Sequence, residues 1–200
     1  MSRAGIGRVL VASLHQGIAD LLPTRLEFYE NWLNPKGLRD GTIGPAPVAA
    51  VLSFLREEGE PYAAVTARAG EYAAEWTVAG MSGARRGFIR SMPVPVRRLL
   101  TLDVARRLIR DTCSSSRAMA RVRRGVAIVD IRGSIFCAVR APAAHPLCGF
   151  YGSTIVRLLG LFGLEGEAKI DQCRGIGDRA CLIAVALDVA AAEAAPVESP

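Results

Sequence analysis

Lysine and histidine are nearly missing from this 200-residue chain, with two of each: Lys36, Lys169, His15 and His145. A histidine-based catalytic network therefore has little to draw on. His15 reads as a partly buried residue of an apolar helix and His145, before Pro146, as a loop residue. Long apolar runs are missing too. Val9–Leu22 carries His15 and Asp20, Ser153–Leu164 carries Arg157, and Ala180–Ala192 carries Asp188. None reaches the roughly 18 uninterrupted apolar residues that a membrane span requires, so no span is expected. The apolar start of the chain is interrupted by His15 and Gln16 and lacks a small-residue cleavage site, which makes a cytoplasmic location the expectation. No Walker loop and no nucleophile elbow occurs. Gly175-Ile-Gly-Asp-Arg-Ala180 has dinucleotide-type glycine spacing but leads into strand-like sequence, whereas phosphate binding needs a following helix N-terminus.

The basic residues present are arginines: 25 Lys plus Arg less two Lys leaves 23, and the net charge is +6. Between Arg85 and Arg132 stand 13 arginines against Asp103, Asp111 and Asp130, an excess of 13 − 3 = 10. A solvated amphipathic helix explains that excess, because no interleaved aromatic platform accompanies it and no nucleic-acid partner is expected.

Apolar spacing divides the chain. Val9–Leu22 repeats at helical intervals, Pro23 opens a second helix to Trp32, and Asn34-Pro-Lys-Gly37 ends it. Gly41–Pro47 reads as a loop, Val48–Glu58 and Pro61–Val78 as helices, Gly80–Gly87 as a break, and Pro93 to Cys113 as an arginine-studded helix. The period then becomes two. Ala118–Arg124 and Val126–Arg132 form a hairpin pattern, and Ser134–Val139 continues it. After the Pro142–Pro146 loop, Leu147–Phe162 reads as a helix, and Glu167–Cys173 and Cys181–Asp188 as strands. The expectation is an α+β fold, a helical N-terminal half plus an antiparallel sheet with a crossing helix. Residues 1–44 read as an N-terminal helical extension, 45–188 as the main domain, and 189–200 as a disordered Ala/Glu/Pro-rich tail.

Cysteine is the residue type with chemistry to offer. The five lie late, at 113, 137, 148, 173 and 181, in a pattern that suggests reduced thiols or metal ligands rather than a disulfide framework. Cys173 and Cys181 sit at the mouth of one hairpin, with Gly175 and Gly177 in its loop, and Cys148 begins the preceding helix. Tetrahedral zinc takes four ligands of this type at about 2.3 Å. Asp171, His145 or water could complete the set. The alternative is that three small thiols are simply core residues.

Cys148-Gly-Phe-Tyr-Gly, followed by a helix and by Cys173-Arg-Gly-Ile-Gly-Asp-Arg-Ala-Cys181-Leu-Ile-Ala, resembles the signature of the 4-vinyl reductase domain family over about residues 125–187. In that family three Cys and a Glu three residues before the hairpin's first Cys form a zinc site. Position 170 here is Ile, and the nearest carboxylate is Asp171. The resemblance implies a structural zinc, a fold like the small subunits of the TRAPP vesicle-tethering complex, frequent dimerisation, and an apolar ligand pocket. Members are implicated in handling bacteriochlorophyll precursors, and related domains sense phenols.

From this reading Cys148, Cys173, Cys181 and Asp171 are the expected metal ligands. Tyr72, Trp76, Phe88, Phe136 and Phe150 are the expected lining for a hydrophobic, aromatic or tetrapyrrole ligand, with Arg97 to pair its carboxylate. A homodimer would use the apolar faces that carry Leu22, Leu26, Phe28 and Trp32. A binding module is the leading expectation. A vinyl reductase or accessory protein of bacteriochlorophyll synthesis is one alternative and a dimeric scaffold the other; the reductase would need a hydride donor, for which no site is visible in the sequence.

Overall fold

The computed structural model describes residues 5–33 and 44–187. The expected turn at 34–37 and the tail at 189–200 lie outside them. Helices α1 (Arg8–Leu21), α2 (Leu26–Glu30), α3 (Pro45–Glu57), α4 (Pro61–Ala79), α5 (Gly83–Ser91) and α6 (Val94–Thr112) come first. Strands β1 (Arg117–Arg123) and β2 (Val126–Arg132), helix α7 (Gly149–Leu161) and strands β3 (Glu167–Gln172) and β4 (Leu182–Ala186) follow. The fold is α+β, as the change of period predicts.

Each helix forms where apolar residues recur every three or four positions. Val48, Val51, Leu52 and Leu55 make one buried stripe on α3, and Pro45 opens it at the position where a missing N–H costs least. The order of the sheet is β1-β2-β4-β3, antiparallel throughout. β4 thus returns between β2 and β3, pairing Val129 with Ile183 and Ile183 with Ile170. Ala127, Val129, Ile131, Ile183 and Val185 face inward.

Helix α7 is the centre of the molecule. It buries Phe150, Tyr151, Ile155, Leu158 and Leu159, each contributing about 1.5–3 kcal/mol relative to exposure. Glycine permits its close approach to α4: a Cβ at Gly70 would meet the Phe150 carbonyl oxygen, and Thr154 Oγ1 donates to the Gly70 carbonyl at 3.1 Å. A Cβ at Gly17 of α1 would lie 2.9 Å from the Val65 carbonyl oxygen of α4. The stack α1, α4, α7, sheet is therefore closely spaced.

Two expectations about elements need correction. The break expected over Gly80–Gly87 is confined to Gly80–Ser82, because Ser82 accepts from the Arg85 amide and caps α5, overriding the low helix propensity of Gly83 and Gly87. Ser134–Val139 is not a strand. Gly133, at φ +67°, turns the chain away after β2, and the amides of Ala138 and Val139 bond back to the carbonyls of Ile135 and Cys137.

Candidate metal centre

That misread segment supplies the residue the sequence reading lacked. The turn buries Ile135 and Phe136, stacks Phe136 on Phe150 with centroids 4.8 Å apart, and presents Cys137 to the start of α7. The Sγ atoms of Cys137, Cys148, Cys173 and Cys181 all lie within 4.8 Å of one another. Cys137 is 3.2 Å from Cys148, 3.5 Å from Cys173 and 3.6 Å from Cys181, and Cys148 is 3.4 Å from Cys173. All five cysteines are free, as these separations require, since a disulfide holds its sulfurs at about 2.05 Å. Four thiolates around a metal at about 2.3 Å stand roughly 3.8 Å apart, so the cluster is slightly tighter than a filled tetrahedron. Four cysteines are thus close enough to bind one metal ion.

The local chain explains the placement. Cys148 caps the N-terminus of α7, whose dipole favours a thiolate. Leu147 N–H donates to Cys173 Sγ at 3.3 Å and Arg174 N–H to Cys181 Sγ at 3.5 Å. In the hairpin, Asp178 Oδ2 accepts from the Cys173 amide at 2.8 Å, and Gly177 takes φ +101°. Gly175 packs against Leu147, where a Cβ would come within 2.7 Å. The Tyr62 hydroxyl donates to the Leu147 carbonyl at 3.3 Å, tying the site to α4.

Electrostatics divide the thiols. Hydrogen bonds from Cys137, Cys148 and Cys181, helped by the Leu147 amide, hold Cys173 well below the ordinary thiol range. Cys181 is lowered as well, chiefly by Cys137 and Cys148. Cys148 is pushed up by its bonds to Cys137 and Cys173 and by burial. For Cys137 the Cys148 contact pulls downward, but the bonds to Cys173 and Cys181 and burial leave it raised.

No protein-family model matches the chain, and no curated protein matches it.

Of the expected ligands, Cys148, Cys173 and Cys181 come together. Asp171 does not join them; it is exposed on β3 beside the bulge between Ile170 and Gln172, and Cys137 stands fourth. His145 is exposed, and Cys113 is buried elsewhere, 3.2 Å from Ser115 Oγ. The glycine-rich Gly175–Ala180 loop leads into β4 rather than a helix. Cys137 carried one sequence signal, its place among the five late thiols, and that signal was masked by a β-like alternation.

The expected ligand-lining residues do not converge. Tyr72 and Trp76 stack on each other at 5.4 Å on the flank of α4, where Tyr72 bonds to Asp20 and lies under Arg68. Phe88 is exposed on α5, and Arg97 Nη1 donates to the Phe162 carbonyl at 3.3 Å. Phe136 and Phe150 fill the core against each other and Tyr151. Of the six, only Phe150 reaches the main cavity, about 660 Å³ between α1, α4 and α6 beside the start of α5. Its wall is mixed: Val9, Leu10, Ala73, Met81, Val104 and Leu108 make the apolar part, and Arg8, Arg85, Arg107, Asp111, Thr77 and Thr112 the polar part.

Proposed function

We propose that this chain is a non-catalytic small-molecule-binding module in which one structural zinc ion joins the C-terminal hairpin to the loop after β2 and to the start of α7. The observation that carries this reading is the cluster of Cys137, Cys148, Cys173 and Cys181. Four thiolates close the coordination shell and leave no open position for a substrate, which is the mark of a structural rather than a catalytic site. A tetrahedral S₄ set accepts zinc or iron, and the likeness to the 4-vinyl reductase domain family favours zinc. In this reading Cys137 serves as the fourth ligand instead of the family's Glu, whose position here is Ile170.

The ligand enters the cavity of about 660 Å³, within the size range of small-molecule sites. The apolar part of its wall suits a hydrophobic or aromatic compound. Native and denaturing mass spectra of the purified chain test both halves of the proposal. One zinc per chain together with an extra organic mass supports it and supplies the ligand's formula. A chain without metal overturns the zinc half, and a visible thiolate-to-iron absorption band replaces zinc by iron. A chain that neither carries an organic mass nor binds a hydrophobic probe overturns the ligand half.

A homodimer through α1 and α2 belongs to the same reading. Phe28 and Trp32 stand exposed there, packed edge-on and tilted against Phe54, while Leu22 and Leu26 turn toward the core.

A further inference from the structure

The corner at which α5 meets α6 serves neither the metal centre nor the wall of the cavity beyond Arg85. Between Glu75 and Asp103 the chain carries Arg85, Arg86, Arg90, Arg97 and Arg98 and no acidic residue. On the same corner Phe88, Val94, Val96 and Leu99 are exposed. Phe88 at 57% and Leu99 at 58% are the two most exposed large apolar side chains among the described residues.

This exposure belongs to a firmly held corner. Ile89 anchors α5 in the core and Ser82 caps it. Arg90 Nη2 donates to the Leu161 carbonyl at 2.9 Å, Arg97 Nη1 to Phe162 at 3.3 Å and Arg98 Nη2 to Leu187 at 2.7 Å. Pro93 and Pro95 restrict the backbone between the helices. The apolar tips are therefore presented without further ordering, and their arginines stand at the base. None of the four tips lines one of the larger cavities.

We propose that the α5–α6 corner docks on the surface of a lipid bilayer that carries anionic headgroups. Phe88, Val94, Val96 and Leu99 enter the headgroup–acyl boundary, and Arg85 and Arg86, which are not tied to backbone carbonyls, pair with lipid phosphates. Charge and shape select this occupant. A second copy of the chain meeting the corner about a twofold axis would bring arginine against arginine, since the stretch holds no carboxylate and the flanking Asp103 is already paired with Arg106 and Arg107. A nucleic acid would match the charge, yet Val94, Val96 and Leu99 offer no ring for a base to stack on. A protein partner would need a groove, whereas a soft lipid interface accepts protruding tips.

Co-sedimentation of the full chain with vesicles tests this. The chain is expected to pellet with equimolar phosphatidylcholine–phosphatidylglycerol vesicles, to stay in solution with pure phosphatidylcholine, and to be released by salt near 0.5 M, where the Debye length is only about 4 Å. The double variant Phe88→Asp/Leu99→Asp and the charge variant Arg85→Gln/Arg86→Gln should each weaken partitioning about tenfold or more. Their melting temperatures should stay at the parent value, because all four side chains lie outside the core. Equal partitioning of parent and variants overturns the proposal. So does absence of binding to the acidic vesicles, or a solution dimer that Phe88→Asp/Leu99→Asp dissociates.

Discussion

Serine at position 137 would leave three thiols where four now surround one point, and a metal site that loses a ligand loses most of its folding contribution. Cys137→Ser is expected to lower zinc content below one per chain and to destabilise by at least about 3 kcal/mol, a fall in Tm of roughly 6–12 °C. Asp171→Asn, on an exposed carboxylate away from the cluster, should change neither quantity. Metal analysis with calorimetry on both variants separates Cys137 from Asp171 as fourth ligand.

The thiols also set a pH dependence that differs between loaded and stripped protein above about pH 8.5. An unfolded thiol titrates near pH 8.5. In stripped protein Cys137 and Cys148 are raised, so above about pH 8.5 the folded state holds protons the unfolded state has released, and stability falls with pH. Cys173 and Cys181 are lowered, so their contribution is present above about pH 8.5 and is lost as pH falls. With metal bound, all four are thiolates: stability rises to about pH 8.5 and is then flat. Melting curves between about pH 8.5 and 10 should slope downward for stripped protein and stay level for loaded protein. The same downward slope in both would show that metal does not reach the thiols.

At the scale of elements, the hairpin between β3 and β4 depends on two glycines for different reasons. Gly177 takes φ +101°, which a side chain adopts only with strain, and Gly175 lies against Leu147 where a Cβ has no room. Gly177→Ala is expected to cost about 1–3 kcal/mol and to weaken zinc retention against a chelator. The helices depend on Gly70 in a similar way. Gly70→Ala sets a methyl against the backbone of α7, which can yield only by moving the helix, so a loss of about 2 kcal/mol or more is expected in denaturant melts. Among the elements themselves, the long periodic ones were legible in the sequence. Helix α5 was not, because its glycines look like punctuation until Ser82 is seen to cap it. The segment 134–139 alternates like a strand, but the turn at Gly133 sends it under α7 instead.

At the scale of the molecule, the cavity between α1, α4 and α6 exists because elements distant in sequence meet there, from Gly7 to Phe150. Met81→Trp should fill part of it and weaken binding of 1-anilinonaphthalene-8-sulfonate about tenfold, with metal content unchanged. Probe titration by fluorescence checks this, and undiminished binding would place the ligand elsewhere. Large aromatics are the lining expected from the sequence, because aromatic rings suit flat ligands. Most of them pack on one another or face solvent, and the apolar part of the wall is made of small and aliphatic residues whose periodicity reads only as core.

The sequence by itself determined the α+β order, the antiparallel hairpins, the lack of a membrane-length apolar helix among the described residues and three of the four clustered thiols. Each of these rests on local period, turn chemistry or spacing across one short loop. Only the tertiary structure decided the fourth thiol, the location of the cavity and the exposure of the α5–α6 corner. Each of those depends on which residues meet across long stretches of chain: Cys137 reaches Cys173 and Cys181 across 36 and 44 positions, distances over which a single sequence carries no register.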